Sequence, residues 1–207
     1  IHYFVTGAIG ELALVRAAEL VEGDRAGLFW QEAMALRDLL KFEFFFADKE
    51  SFRDELRREM ALHESAGTPW ETRLEAGPEA VLEFLQQVRP LSAHRVLRPF
   101  LEAYRVVADV LGRAAPDEAV AEAVLLERCL ALGTQYSLQQ HVKRRESVSK
   151  ALFATALKLA RNRGLLEAGA EGLAERRRAF AEEIRAAIRG VDAIEVLVSA
   201  RHAGLFD

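Results

Sequence analysis

The stretch LKFEFFFADKESF, residues 40–52, sets five Phe within thirteen residues and places Glu43, Asp48, Lys49 and Glu50 among them. A buried ring adds to stability on the kcal/mol scale, and an exposed one invites association. The tract therefore needs a cover: the core, a neighbouring domain or a membrane surface. Phe44, Phe45 and Phe46 follow no helical period, so a buried connector or one short strand ending at Asp48 is expected. In such an extended segment side chains alternate. Phe42, Phe44 and Phe46 would share one face and Phe45 would take the other. One face can meet the chain's own core, and the other then calls for a partner.

Elsewhere helical periodicity dominates and convincing strands are absent. Val5, Ala8, Ile9, Leu12 and Ala13 recur at three-and-four spacing and predict one buried helix face. Asp24 can cap a second helix running to about Phe42 through Phe29, Ala33, Leu36 and Leu40. Asp48 or Ser51 caps a third through Phe52, Leu56 and Met60. Residues 63–77 hold Gly67, Pro69 and Gly77 and read as a loop, after which Pro78 opens a short helix through Val81, Leu82 and Leu85. Ser92 is expected to cap the clearest helix of the chain, with Leu97, Phe100, Leu101, Tyr104, Val107, Ala108 and Leu111 as one continuous core stripe. Pro116-Asp117 starts the next, through Val120, Val124, Leu125, Cys129 and Leu130. Residues 133–146 are polar and basic. A helix over about 147–163 ends at Gly164, and two more finish the chain, one through Leu173, Phe180, Ile184 and Ile188, the other through Val191, Ile194, Leu197 and Val198. The expected fold is all-α, a multi-helix bundle of about eight helices with at most one short strand-like connector. Sub-units 1–90 and 91–207 are a natural division.

The 207 residues carry a net charge of −4, which argues against nucleic acid as the main partner, since phosphate binding asks for a basic excess on one face. The single cysteine, Cys129, sits on an apolar helix face and reads as a small core residue in a reducing compartment. No apolar run approaches the roughly 18 residues of a spanning helix. The chain opens without an initiator Met or a capping residue, and no signal peptide is visible, so a fragment of a longer protein is expected.

The five histidines, His2, His63, His94, His141 and His202, have no second His, Cys or paired carboxylate at ligand spacing. Gly164, Gly169 and Gly172 are spread around a helix break with no preceding strand, unlike a phosphate loop. Ser147 and Ser149 lack the glycines of a nucleophile elbow. His202 and Asp207 match H-x-x-x-x-D, where a carboxylate orients an imidazole that deprotonates an alcohol. Their place at the fraying end of the chain, with no phosphate-binding Arg motif beside them, reads as coincidence. Lys143-Arg144-Arg145 and Arg176-Arg177-Arg178 could bind phosphate, lipid headgroups or an acidic surface, against the plainer reading of solvated basic faces beside Glu146, Glu175, Glu182 and Glu183. Trp30, beside Leu28 and Phe29, reads as core before membrane anchor.

Taken together, residues 2–14, 40–52, 97–111 (LRPFLEAYRVVADVL) and 149–167 resemble the C-terminal region of the membrane-associated glycerol-3-phosphate acyltransferases of bacteria, with an Arg/Ala bias that suits an actinobacterial member. The resemblance implies that residues 1–207 form the C-terminal helical domain of a larger enzyme. Its upstream domain would carry the H-x-x-x-x-D pair and the Arg motif, and would transfer an acyl group from a thioester carrier to the sn-1 hydroxyl of glycerol 3-phosphate. It further implies that the partners are that upstream domain, the membrane surface and, through the upstream domain, glycerol 3-phosphate and an acyl thioester, with the cytoplasmic face of the cell membrane as the location. Acyl-CoA or acyl carrier protein would serve as donor upstream. No catalytic, cofactor-binding or metal-ligating residue is carried onto this chain, and it is expected to be inactive alone. The rival reading is a free-standing helical ligand-binding or dimerisation module of a transcriptional regulator.

Overall fold

The computed structural model describes residues 2–64 and 68–204. Among them ten α-helices and one 3-10 turn form and no strand does, so the chain is all-α with two more helices than periodicity predicts. Two compact units divide it, one of residues 1–97 with 189–207, the other of residues 98–188.

The first unit is built on α1 (His2–Glu19). Burial extends well beyond the expected face: Val5, Ile9, Leu12 and Leu14 are closed off, and so are Thr6 and Glu11. A helix apolar nearly all round is a buried helix. Around it pack α2 (Arg25–Leu39), α3 (Lys49–Ala61), α5 (Pro78–Gln87) and α6 (Ala93–Val96). Asp24 caps α2 by accepting from the Gly27 N–H at 2.6 Å, as expected. Asp48 caps α3, accepting from the Glu50 and Ser51 N–H groups at 3.0 Å and from Ser51 Oγ at 2.7 Å. The Ser51 donors hold the Asp48 carboxyl below its usual range. Gly10 lets α3 come close: a Cβ there would stand 2.7 Å from Met60 Cε and 2.9 Å from Leu56 Cδ1.

The stretch expected as a loop contains α4 (Trp70–Ala76), which is too short to show a period. What holds it is an aromatic cluster. The buried Trp70 ring lies 5.0 Å from Phe29, 6.1 Å from Trp30 and 6.4 Å from Phe84. Pro78 opens α5 as expected, but Phe84 takes the core position while Leu82 is exposed.

Glu11 ties α1 to α6. The Ser92 N–H and Oγ donate to its Oε1 at 2.7 and 3.0 Å, and the Ala93 N–H donates to Oε2 at 2.9 Å. The side chain thereby satisfies orphan donors at the α6 N-terminus. Arg201 serves the other end of the same connection, donating to the carbonyls of Leu85, Gln86 and Val88 at the end of α5.

The helix expected to run on from Ser92 is broken at Leu97, so α6 is followed by a separate α7 (Arg98–Arg113). Pro99 has no N–H to continue a helix but suits the first turn of a new one. In the second unit α7 carries the core through Leu101, Tyr104, Val107, Ala108 and Leu111, while Phe100 is only half-buried. α8 (Glu122–Leu138) starts later than Pro116-Asp117, because the Pro116 carbonyl is taken by the Gly169 N–H at 2.8 Å. It then extends into the polar stretch, with Cys129 and Tyr136 facing inward and Val124 outward. α9 (Lys150–Asn162) is followed by Gly164 at φ +65°, as expected. α10 (Leu173–His202) is one helix of 30 residues, not two. Gly190 within it marks a close approach: a Cβ there would meet Leu12 Cδ2 at 3.2 Å.

Tyr104 is fully buried. Tyr104→Ala is expected to cost about 3–5 kcal/mol in chemical denaturation, and Phe100→Ala distinctly less. Burial pushes the Glu11 carboxyl up from 4.5 to about 7, against the pull of the Ala93 and Ser92 donors and of Arg201. The folded chain therefore holds this proton more tightly than the unfolded one. The associated stabilisation is complete below about pH 4.5 and lost as pH rises through about 7, a span of roughly 3 kcal/mol. Glu11→Gln should flatten that slope in denaturation midpoints measured from pH 4 to 8.

Candidate functional site

The Phe-rich connector between α2 and α3 is not a strand; residues 41–44 form a turn and residues 45–48 an irregular segment. Arg37 holds it in place. Its guanidinium donates to the Ala47 carbonyl and lies 5.7 Å from the ring centres of both Phe46 and Phe52. Phe46 meets Phe52 edge-on at 5.5 Å and Phe44 at 6.2 Å. The expected alternation is present without a strand: Phe42, Phe44 and Phe46 are half-buried, and Phe45 is 84% exposed.

Phe45 and Phe46 form part of a groove of about 440 Å³ that is completed by Thr6 of α1 and by Glu55, Arg58, Glu59 and Leu62 of α3 and its end. Leu62 is 76% exposed. Glu55 and Glu59 stand one helical turn apart and face the same way. Neither carboxylate accepts a hydrogen bond or forms an ion pair among the described residues, although Glu59 favours the charged form of His63 across space. Arg58 supplies the wall's cation, with its Nε on the Asp54 carbonyl at 3.2 Å. Glu59 packs over Gly7, where a Cβ would lie 3.2 Å from its Oε1.

The remaining candidates have structural occupations. The Nδ1 of His63 accepts the Arg89 N–H at 3.5 Å, and burial lowers its pKa. His94 is buried in the short α6, and the exposed His141 rests on the Tyr136 ring at 5.5 Å. His202 is exposed in the last turn of α10; the His2 side chain and the whole of Asp207 lie outside the described residues. No group of His, Cys, Asp and Glu able to hold a metal forms among the described residues.

The basic runs are not uniform patches. Lys143 and Arg144 donate backbone N–H groups to the buried Glu102 at 3.0 and 3.1 Å, Ser147 adds its Oγ at 2.8 Å, and Arg98 lies 3.7 Å away. In the second run Arg177 is buried, donating to the carbonyls of Leu165 at 2.9 Å and Ala114 at 3.1 Å, while Arg178 pairs with Glu175. Neither role shows in the sequence, where the middle arginine of three looks like its neighbours. Cys129 is buried and its thiol is pushed up to about 12, which leaves it inert at neutral pH. Trp30 belongs to the aromatic cluster and stacks under Arg57 at 5.1 Å and Arg53 at 6.0 Å. No described helix is long and apolar enough to cross a membrane.

The groove is thus the candidate site, a place where one surface ring has no cover. Phe45→Ser should leave helical content unchanged and stability within about 0.5 kcal/mol, because the ring is in water already. It should also lower self-association of the isolated chain in sedimentation velocity. A wild-type chain that sediments as a clean monomer at high concentration would count against a docking surface here.

Comparison with known proteins returns the family described as "Glycerol-3-phosphate acyltransferase C-terminal region", which matches residues 1–169. Proteins named "Putative acyltransferase plsB1" from Mycobacterium bovis and from two strains of Mycobacterium tuberculosis are 42% identical over 200 residues, 95% of this chain and 32% of each relative. The chain therefore spans about a third of the length of these relatives. No solved structure matches it.

Proposed function

The chain belongs to the family of glycerol-3-phosphate acyltransferase C-terminal regions, and from that footing we propose that it serves as the non-catalytic helical domain of a glycerol-3-phosphate 1-O-acyltransferase. An upstream domain of the same polypeptide moves the acyl group from acyl-CoA or acyl carrier protein to the sn-1 hydroxyl of glycerol 3-phosphate, the first step of phospholipid synthesis. This domain supports that one and needs no cofactor of its own. The enzyme works at the cytoplasmic face of the cell membrane.

The observation that carries this reading is the correspondence of residues 1–169 with the C-terminal region of such enzymes. The groove supports it from the side of geometry, since a supporting domain must present a surface to what it supports. The histidines support it as well: His63, His94 and His141 are engaged in backbone, core and ring contacts and do not converge on one site. The rival reading, a regulator's effector module, has no support in relatives that are described as acyltransferases.

The purified chain, given glycerol 3-phosphate and an acyl thioester, should release no thiol. The full-length polypeptide should turn over, and removing residues 1–207 from it should abolish that activity. Turnover by the isolated chain that disappears in His202→Ala would overturn the reading.

A further inference from the structure

The groove beside α3 combines two features that narrow what can enter it. Its floor is apolar, with Phe45 84% and Leu62 76% exposed. Its α3 wall is acidic. Glu55 and Glu59 are separated by one turn, where like charges repel on a helix, and neither carboxylate forms an ion pair among the described residues. Arg58 offsets one of the two charges, so the wall keeps a negative surplus.

An occupant must therefore bring apolar surface and positive charge together. An anionic lipid headgroup brings the wrong sign. So does a fatty acid carboxylate, and so does a coenzyme A thioester with its phosphates. A polypeptide segment with one apolar anchor and a Lys or Arg within a turn of it meets both demands. The anchor fills the floor between Phe45 and Leu62, and the cation lies against Glu55 and Glu59. A groove of about 440 Å³ takes a few side chains, which is the scale of one anchored segment within a larger contact.

Resting on the reading above, we propose that this groove docks a basic, apolar-anchored segment of the acyltransferase polypeptide that lies outside this chain. The relatives supply room for one, since about two thirds of their length falls outside the match. The occupant comes from the same molecule, so the contact is intramolecular and independent of concentration.

Crosslinking on the full-length polypeptide, bound to vesicles of phosphatidylethanolamine and phosphatidylglycerol, tests this directly. Leu62→benzoylphenylalanine and, separately, Phe45→benzoylphenylalanine place a photoreactive group at each end of the floor. Irradiation should give an intramolecular crosslink that mass spectrometry maps to a peptide outside this chain with Lys or Arg within four residues. The crosslink should be lost when Glu55→Lys and Glu59→Lys are added. Crosslinks to lipid, to a second copy, only to this chain's own residues, or none from either position overturn the proposal. A crosslink that survives the charge reversal overturns its basic character. Acyl transfer to glycerol 3-phosphate, assayed on the same preparation, reads the enzyme assignment separately. Activity with a lipid crosslink sinks the docking alone, and the mapped crosslink without that activity sinks the enzyme assignment alone.

Discussion

A carboxylate on a helix buried on nearly every side must find donors or give up its charge, and Glu11 is that carboxylate. Its donors come from Ser92 and Ala93, more than eighty residues along the chain, which fixes where α6 can begin. Arg201 completes the arrangement by binding the carbonyls that α5 leaves open. One acidic and one basic side chain, from α1 and from the end of α10, thus hold both ends of a connection whose Val88 and Leu91 are buried in the core. Removing Glu11 would leave the Ser92 and Ala93 donors short of an acceptor, and removing Arg201 would leave the Leu85, Gln86 and Val88 carbonyls short of a donor. The last turns of α10 belong to the first unit, although they lie far from it in sequence, and they also bury Val191 and Ile194.

The same physics recurs at three other places. Glu102 gathers the backbone and hydroxyl donors of residues 143–147, Arg177 takes the carbonyls of Ala114 and Leu165, and Arg37 takes that of Ala47. At these places orphaned helix-end and loop groups are answered by long charged side chains reaching across, and not by turn residues nearby. Charge in this chain is therefore partly internal. A run such as 176–178 mixes a structural arginine with exposed ones, and its count of positive charges says little about what the surface attracts.

Much of the fold is legible where local chemistry decides it. Asp24, Asp48 and Pro78 mark helix starts because capping depends on a few adjacent residues. The all-α class follows from repeated three-and-four spacing, and the exposure of Phe45 against its half-buried neighbours matches the expected alternation, although a turn over residues 41–44 produces it in place of a stretched backbone. The rest depends on partners distant in sequence. α4 exists because Phe29 and Phe84 meet Trp70. The delayed start of α8 depends on Gly169 claiming the Pro116 carbonyl. The exposure of Phe45 is implied by the pattern, but the acidic wall opposite it is not, since Glu55 and Glu59 look like ordinary solvent-facing residues until α3 is set beside the connector.

Gly7 and Gly10 set that wall in place by what they lack. At Gly10 a single methyl would strike Met60 and Leu56, and at Gly7 it would press on the Glu59 side chain. The separation of α3 from α1, and with it the width of the groove, is written in two hydrogen atoms on a helix that, among the described residues, contributes only Thr6 to the groove's lining. Sequence drift at these two positions would retune what the groove accepts while leaving nearly every residue that touches the occupant unchanged. Two relatives could then share the same groove residues and still select different segments.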